Sequence, residues 1–276
     1  MIDNNEYCDI QLELTDDMWR YYENSPKIEV IKKQQEKNKE KLLLLLSLLA
    51  TLTGLEKTKK LKEINYIVDS IFKSEKLLES EYLYNILYEL TKYSYDVNNY
   101  IMKLGDKTFS SSKLNEKDIN NIINEKIENK TNKDRISNNK DELKDKVIKN
   151  IALLGTVITI SQLKKKIEDI YENNLDTTKT MFENEIHRCT DRAYNKWNKD
   201  NNIKNVMYVS RLETNTCDEC KGNHGKIFKT GQEIELPIHV NCKCFYAVIP
   251  NNNWFNNFGK VTFKNLKKWS DKNNER

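Results

Sequence analysis

Four of the six cysteines and two of the three histidines in this 276-residue chain lie between Val209 and Pro250. They stand as Cys217-Asp-Glu-Cys220 and, after eighteen intervening residues, His239-Val-Asn-Cys242-Lys-Cys244. Thiolate sulfur and imidazole nitrogen are the donors of tetrahedral structural zinc, and a C-x2-C turn lets two thiolates converge on one ion. A short hairpin would bring the second half beside the first, and Gly222, Gly225 and Gly231 lie between them where sharp turns are cheap. Five residues then compete for four ligand places: Cys217, Cys220, His239, Cys242 and Cys244. Two ligands one residue apart strain a tetrahedron, so either Cys242 or Cys244 is a spare. His224 is a sixth candidate, better explained as a loop residue. Structural zinc is the expected cofactor.

Other chemistries of the same residues compete with zinc. A redox C-x-x-C opens a helix within a βαβ unit, and no such pattern flanks Cys217. A disulfide clip needs an oxidising compartment, and Met1-Ile-Asp-Asn-Asn-Glu is not the basic, apolar start of a signal peptide. Disulfide and plain reduced thiols stay open as alternatives. A zinc-supported endonuclease of the HNH type is the rival function, because His224, His239 and Asn241 lie beside the cysteine knuckles. That chemistry wants a general-base His and a separate catalytic divalent metal. The paired His positions of such a hairpin and helix are not evident here. A deaminase needs H-x-E ahead of P-C-x-x-C, and the order here is reversed.

The run Cys217-x2-Cys220-x4-Gly225-Lys-Ile-Phe228, closed by Pro237-Ile-His239-Val-Asn241-Cys242-Lys-Cys244, resembles the C-terminal signature of the phage Mu protein F-like minor head proteins, also called head morphogenesis proteins. That signature closes on P-x-H-P-N-C-R-C; Val240 stands for its usual Pro and Lys243 for its usual Arg. Arg188-Cys-Thr-Asp191 sits where family members carry an arginine-led R-T-E motif, and no role is given to Arg188 from it. The resemblance implies a minor capsid protein of a tailed phage or prophage, assisting head assembly or DNA delivery. It implies no catalytic residues, so the protein is not expected to be an enzyme. The implied partners are the portal protein and the major capsid protein, with packaged DNA as a further candidate. The implied location is the virion, at the capsid interior or portal vertex, after assembly in the bacterial host cytoplasm.

The rest of the chain must position this cluster, and its composition favours long packed helices. Charged residues make up 32% and apolar ones 38%, with only seven Gly and three Pro, a profile poor in turns. Net charge is +4, too small for this length to identify a partner. Ser25-Pro26 predicts a helix start, and a helix follows over about 27–53, ended by Gly54. Its first half reads as solvated. Its second half carries the leucine run from Leu42 to Leu52, interrupted by Ser47 and Thr51. A membrane span needs about 20 apolar residues, so this run predicts a buried core helix, and a membrane is not an expected partner.

Leu61, Ile64, Val68, Ile71 and Phe72 predict a short helix, and a separate one follows from Tyr82 to Leu104. Residues 105–112 and 130–139 read as loops flanking a weak helix near 116–128. A buried helix over 147–157 is expected to break near Gly155. Thr159-Ile-Ser-Gln162 has capping-box form, and Asp176-Thr-Thr178 offers another helix start. Phe182, Ile186, Cys189, Ala193 and Trp197 form one apolar stripe, which explains Cys189 as a small core residue and leaves His187 facing solvent. Val206–Ser210, Lys226–Phe228 and Phe245–Ile249 read as short strands. They form a zinc-ribbon-like module too small to stabilise itself by burial alone.

The fold class is therefore mainly α, with long packed helices and a small C-terminal α+β cysteine-rich module. The expected divisions are a helical region over 1–140, a second helical region over 141–204, the cysteine/histidine module over 205–250 and a basic-aromatic arm over 251–276. The arm, with six basic residues against two acidic ones, is expected to pack on its own domain or a neighbour.

Overall fold

The computed structural model describes residues 4–154, 158–211, 216–250 and 261–274. The helices are α1 (Asn4–Glu23), α2 (Pro26–Ala50), α3 (Gly54–Gly105), α4 (Glu116–Ile123), α5 (Asn132–Ala152), α6 (Ile160–Asp200), α7 (Asp218–Asn223) and α8 (Phe263–Asn274). The strands are β1 (Asn205–Val209), β2 (Ile227–Lys229) and β3 (Phe245–Val248). This is the mainly α fold with a small sheet module that the composition and periodicity predict. The chain forms two compact units: Ser25–Tyr84 with Lys126–Met181, and Met1–Asn24 with Asn85–Glu125 and Phe182–Arg276.

The first of these units is helical, built from α2, α5 and parts of α3 and α6. Leu42, Leu46 and Leu49 of α2 share a core with Ile64, Val68, Ile71 and Phe72 of α3. Leu143, Val147 and Ile151 of α5 and Leu163, Ile167 and Tyr171 of α6 complete it. Beyond that apolar block lies a buried polar layer. Lys140 Nζ sits 2.5 Å from Glu79 and 3.4 Å from Glu75, and all three side chains are at most 1% exposed. Gln35 donates to Glu79 at 2.8 Å, Asn38 to Glu75 at 2.8 Å, and the Tyr171 hydroxyl to Glu75 at 3.4 Å. Lys140 also donates to Asn174 at 3.4 Å.

That layer explains where the helix boundaries differ from expectation. Residues 61–104 form parts of one 52-residue helix, and Gly54 (φ +56°) opens it rather than merely ending α2. The core stripe of α3 runs on through Glu75 and Glu79, where an apolar count sees a gap. Residues 132–139 are the first turns of α5, begun by a Thr131–Asp134 capping box, and Lys140 occupies its stripe. Asp176–Thr178 begins no helix: α6 continues through buried Asn174 and Thr178. Each misplaced break falls where a buried polar side chain replaces an aliphatic one. The Thr159–Gln162 box is present, with Thr159 N–H donating to Gln162 at 2.8 Å and Gln162 N–H to Thr159 Oγ1 at 3.3 Å. Gly155 lies outside the described residues.

The second unit carries the sheet, in order β2-β1-β3 and antiparallel throughout. Val206 pairs with Val248 and Tyr208 with Tyr246, while Met207 pairs with Ile227. Period-2 alternation sends Val206, Tyr208 and Tyr246 to one face, where they pack with Cys220, Cys242, Cys244 and Leu236. The outer edge of β3 would present unpaired backbone groups. Fully buried Gln11 of α1 covers it, donating to the Tyr246 carbonyl at 3.0 Å and accepting from Val248 N–H at 3.3 Å. The described part of the C-terminal segment is α8, which packs on α1 and α3. Phe263 meets Tyr21 and Tyr93 at ring separations of 5.5 and 5.6 Å, and Ser270 donates to buried Asp96 at 2.5 Å. Trp254, Phe255 and Phe258 of the predicted arm lie outside the described residues.

Candidate metal centre

Cys217 sits at the N-cap of α7, and its Sγ accepts the Cys220 N–H at 3.3 Å. That turn places both C-x2-C sulfurs on one side of a single helical turn. The segment from Leu236 to Cys244 returns the other donors. Its sharpest point is Asn241, held at φ +61° with its N–H donating to Asn184 Oδ1 of α6 at 3.1 Å. Asn tolerates this left-handed backbone better than most residues.

All five predicted donors come together. His239 Nε2 lies 3.2 Å from Cys217 Sγ and 3.3 Å from Cys220 Sγ, and Cys220 Sγ lies 4.0 Å from Cys242 Sγ. The donor atoms of Cys217, Cys220 and His239 are mutually within 4.8 Å, and so are those of Cys220, Cys242 and Cys244. A tetrahedral zinc, about 2.3 Å from sulfur and 2.1 Å from nitrogen, sets donor–donor edges of roughly 3.5–3.8 Å. The observed separations bracket that span, and the soft S/N donor set suits zinc. All six cysteines are free thiols. His224 belongs to neither donor group; it is exposed, and its Nδ1 accepts the Ser210 N–H at 3.1 Å.

The protonation states differ sharply among the thiols. The Cys242 thiol is pushed down to about 4, chiefly by a hydrogen bond from Cys244, whose own thiol is held up by the same contact. The backbone N–H of Cys220 lowers Cys217, while burial raises Cys220 to about 11. A cation would offset that cost of burial by supplying the charge that stabilises thiolates. The Tyr208 hydroxyl donates to Cys220 Sγ at 3.4 Å from the floor of the sheet. An open cavity of about 500 Å³ exposes the cluster on its other side, between Arg211 and Lys243.

Helix α6 supports the centre through residues that periodicity alone misassigns. His187 is buried, 5% exposed, and its Nε2 lies 2.6 Å from the Cys244 carbonyl. The expectation that His187 faces solvent is overturned: from Glu185 to Asp191 every residue of α6 is buried, so a one-stripe reading undercounts its contacts. Burial also lowers the His187 pKa, which favours a neutral ring donating from Nε2. Arg188 is buried as well. Its guanidinium donates to the Ile122 and Ile123 carbonyls at 2.7 and 3.1 Å, at the end of α4, and to Glu185 at 3.1 Å. A cation there complements the carbonyl-rich, partially negative C-terminal end of α4. Neighbouring Arg192 bonds Glu125 at 2.8 Å and pairs with Glu235 of the segment leading to His239. The cue in the sequence was the polar run Glu185–Arg192 inside an otherwise apolar stripe.

Residues 141–247, from within α5 to within β3, match the family model described as Phage Mu protein F like protein. No curated protein and no solved structure matches the chain. The family match bears out the resemblance read from the cysteine spacing and supports a phage head morphogenesis protein.

Proposed function

We propose that this chain is a minor head protein of a tailed phage or prophage, acting by binding other head components and not by catalysis. The match over residues 141–247 carries this proposal, since it ends on the cysteine module and includes the α6 segment that braces it. The partners are the portal protein and the major capsid protein, and the site of action is the capsid interior or portal vertex, during assembly or DNA delivery.

In the same proposal the Cys/His cluster holds one structural zinc through Cys217, Cys220, His239 and Cys242. Cys244, whose thiol bonds Tyr208 and Cys242, supports the set from beneath. The ion would cross-link the C-x2-C turn to the returning strand and neutralise buried thiolate charge. A module of three strands of three to five residues has too little core to hold that geometry by burial alone.

Co-expression with the portal protein tests the assembly role: the chain should co-purify with it, and His224→Ala and Asn241→Ala variants that are folded and zinc-loaded should do so equally well. Removing one chemical group from an enzyme collapses activity with the fold intact. Magnesium- or manganese-dependent DNA cleavage by the wild-type chain, abolished in either variant, would therefore overturn the proposal.

A further inference from the structure

The leucine run is only partly a core element. Leu42, Leu46 and Leu49 are buried at 1% or less, but Leu44 and Leu48 of the same helix are 64% and 48% exposed. Leu55, in the first turn of α3, is 82% exposed. These three leucines lie within two turns of the short connection between α2 and α3.

The same end of the helical unit also holds the end of α5 and the start of α6. In each of the four helices the polar layer comes at one level: Gln35 and Asn38, Glu75 and Glu79, Lys140, and Tyr171 with Asn174. From that level the apolar block runs along α2 to Leu49, along α3 back to Ile64, along α5 to Ile151 with Leu154 just beyond it, and along α6 back to Leu163. The end of α2, the starts of α3 and α6 and the end of α5 therefore lie past the same side of the block. Leu153, at the end of α5, adds a fourth exposed leucine, 37% accessible.

This end is strongly basic. Residues 41–63 and 146–166 contain ten lysines against two glutamates, an excess of eight positive charges in a chain whose net charge is +4. Every one of the ten lysines is exposed or half-buried, and Lys60 pairs with Glu63 at 2.9 Å. Lysine without leucine would suit any polyanion. Exposed leucines set among lysines instead match the layered chemistry of a bilayer surface, with anionic headgroups over acyl chains. Nucleic acid offers phosphate but no apolar layer for Leu44, Leu48 and Leu55. No described helix is long and apolar enough to cross a membrane, so contact would be at the surface.

We infer that this leucine-bearing, lysine-rich end of the helical unit docks on an anionic lipid bilayer. The inference does not depend on the zinc centre or on the portal. The test is flotation of the full chain with vesicles of phosphatidylcholine alone and of phosphatidylcholine with 30% phosphatidylglycerol, with duplex DNA as a separate arm. Binding should appear only on the anionic vesicles and fall as salt rises. Leu44→Ser/Leu48→Ser/Leu55→Ser should weaken it at least about tenfold through lost apolar burial. Lys164→Gln/Lys165→Gln/Lys166→Gln should weaken it by about fivefold or more per lysine that reaches the surface. All six positions are at least partly exposed, so helical circular dichroism should stay unchanged in both variants. Absence of vesicle binding overturns the inference. So does binding that the leucine variant leaves intact, or binding to duplex DNA alone.

Discussion

Around the three-stranded sheet the clustered polar groups are thiols and one imidazole, gathered from a turn and a returning loop, with Cys220, Cys242 and Cys244 buried, Cys217 half-buried and His239 exposed. In the helical unit they are two carboxylates and one ammonium, supplied by α3 and α5. Both sets are closed by neutral donors: Tyr208 for the thiols, Gln35, Asn38 and Tyr171 for the carboxylates. The difference lies in what surrounds them. The carboxylate layer adjoins a block of fourteen buried core residues, all but Leu154 from four helices, whereas the thiol set makes up three of the seven buried residues of its own core. Removing the polar layer would leave the helices most of their burial. Removing the link between thiols would leave the sheet little. Long helices can carry a costly buried ion layer because apolar contacts on one side outweigh it, and short strands cannot.

Cys220→Ser breaks the comparison most severely. Zinc-linked free energy in small Cys/His modules is on the order of 10 kcal/mol. The wild-type chain purified under reducing conditions should carry about one zinc, and the variant none by elemental analysis. Hydrogen exchange should show the β1 and β3 amides losing protection while those of α2 and α5 keep theirs. A zinc-free wild-type protein with a protected sheet would show that burial suffices.

Lys140→Met strikes the other region and should cost about 3–5 kcal/mol, because it strands Glu75 and Glu79 in a buried site without a cation. Chemical denaturation should show the loss, with early exchange confined to α2, α3 and α5 in the helical unit. Adding Glu75→Gln and Glu79→Gln to the same chain should restore much of it, since a neutral layer no longer needs the ammonium. Failure of the triple variant to regain stability would mean that Lys140 acts through packing rather than charge.

The smallest effect is one of pH. Burial, only partly opposed by Lys140 and Asn38, holds the Glu75 carboxyl above its ordinary value of 4.5. Folding therefore favours its protonated form. The stabilisation is fully present below that ordinary value and is lost as pH climbs through the raised one. Glu75→Gln, neutral at every pH, should lose less stability than wild type over that interval. Parallel stability–pH curves for the two proteins would show that Glu75 ionises in the folded chain as readily as in the unfolded one.

The chain's residues determined, without any coordinates, the mainly α fold, the three strands, the Thr159 cap and the five donors gathered at one place. Those features are local or periodic: C-x2-C spacing, 3.6-residue apolar stripes, alternation in short strands. Tertiary structure alone decided the rest. Whether Glu75, Lys140 and Asn174 end a helix or lie within one depends on partners 34 to 65 residues away, and no window of sequence contains both members of such a pair. His187 reads as a surface residue, and Arg188 as one without a role, until residues 185–191 of α6 are seen to be buried, with carbonyls of Cys244 and of α4 accepting their protons. A polar side chain in an apolar stripe looks like a break in sequence because its compensation is long-range, whereas an aliphatic one needs only to be buried.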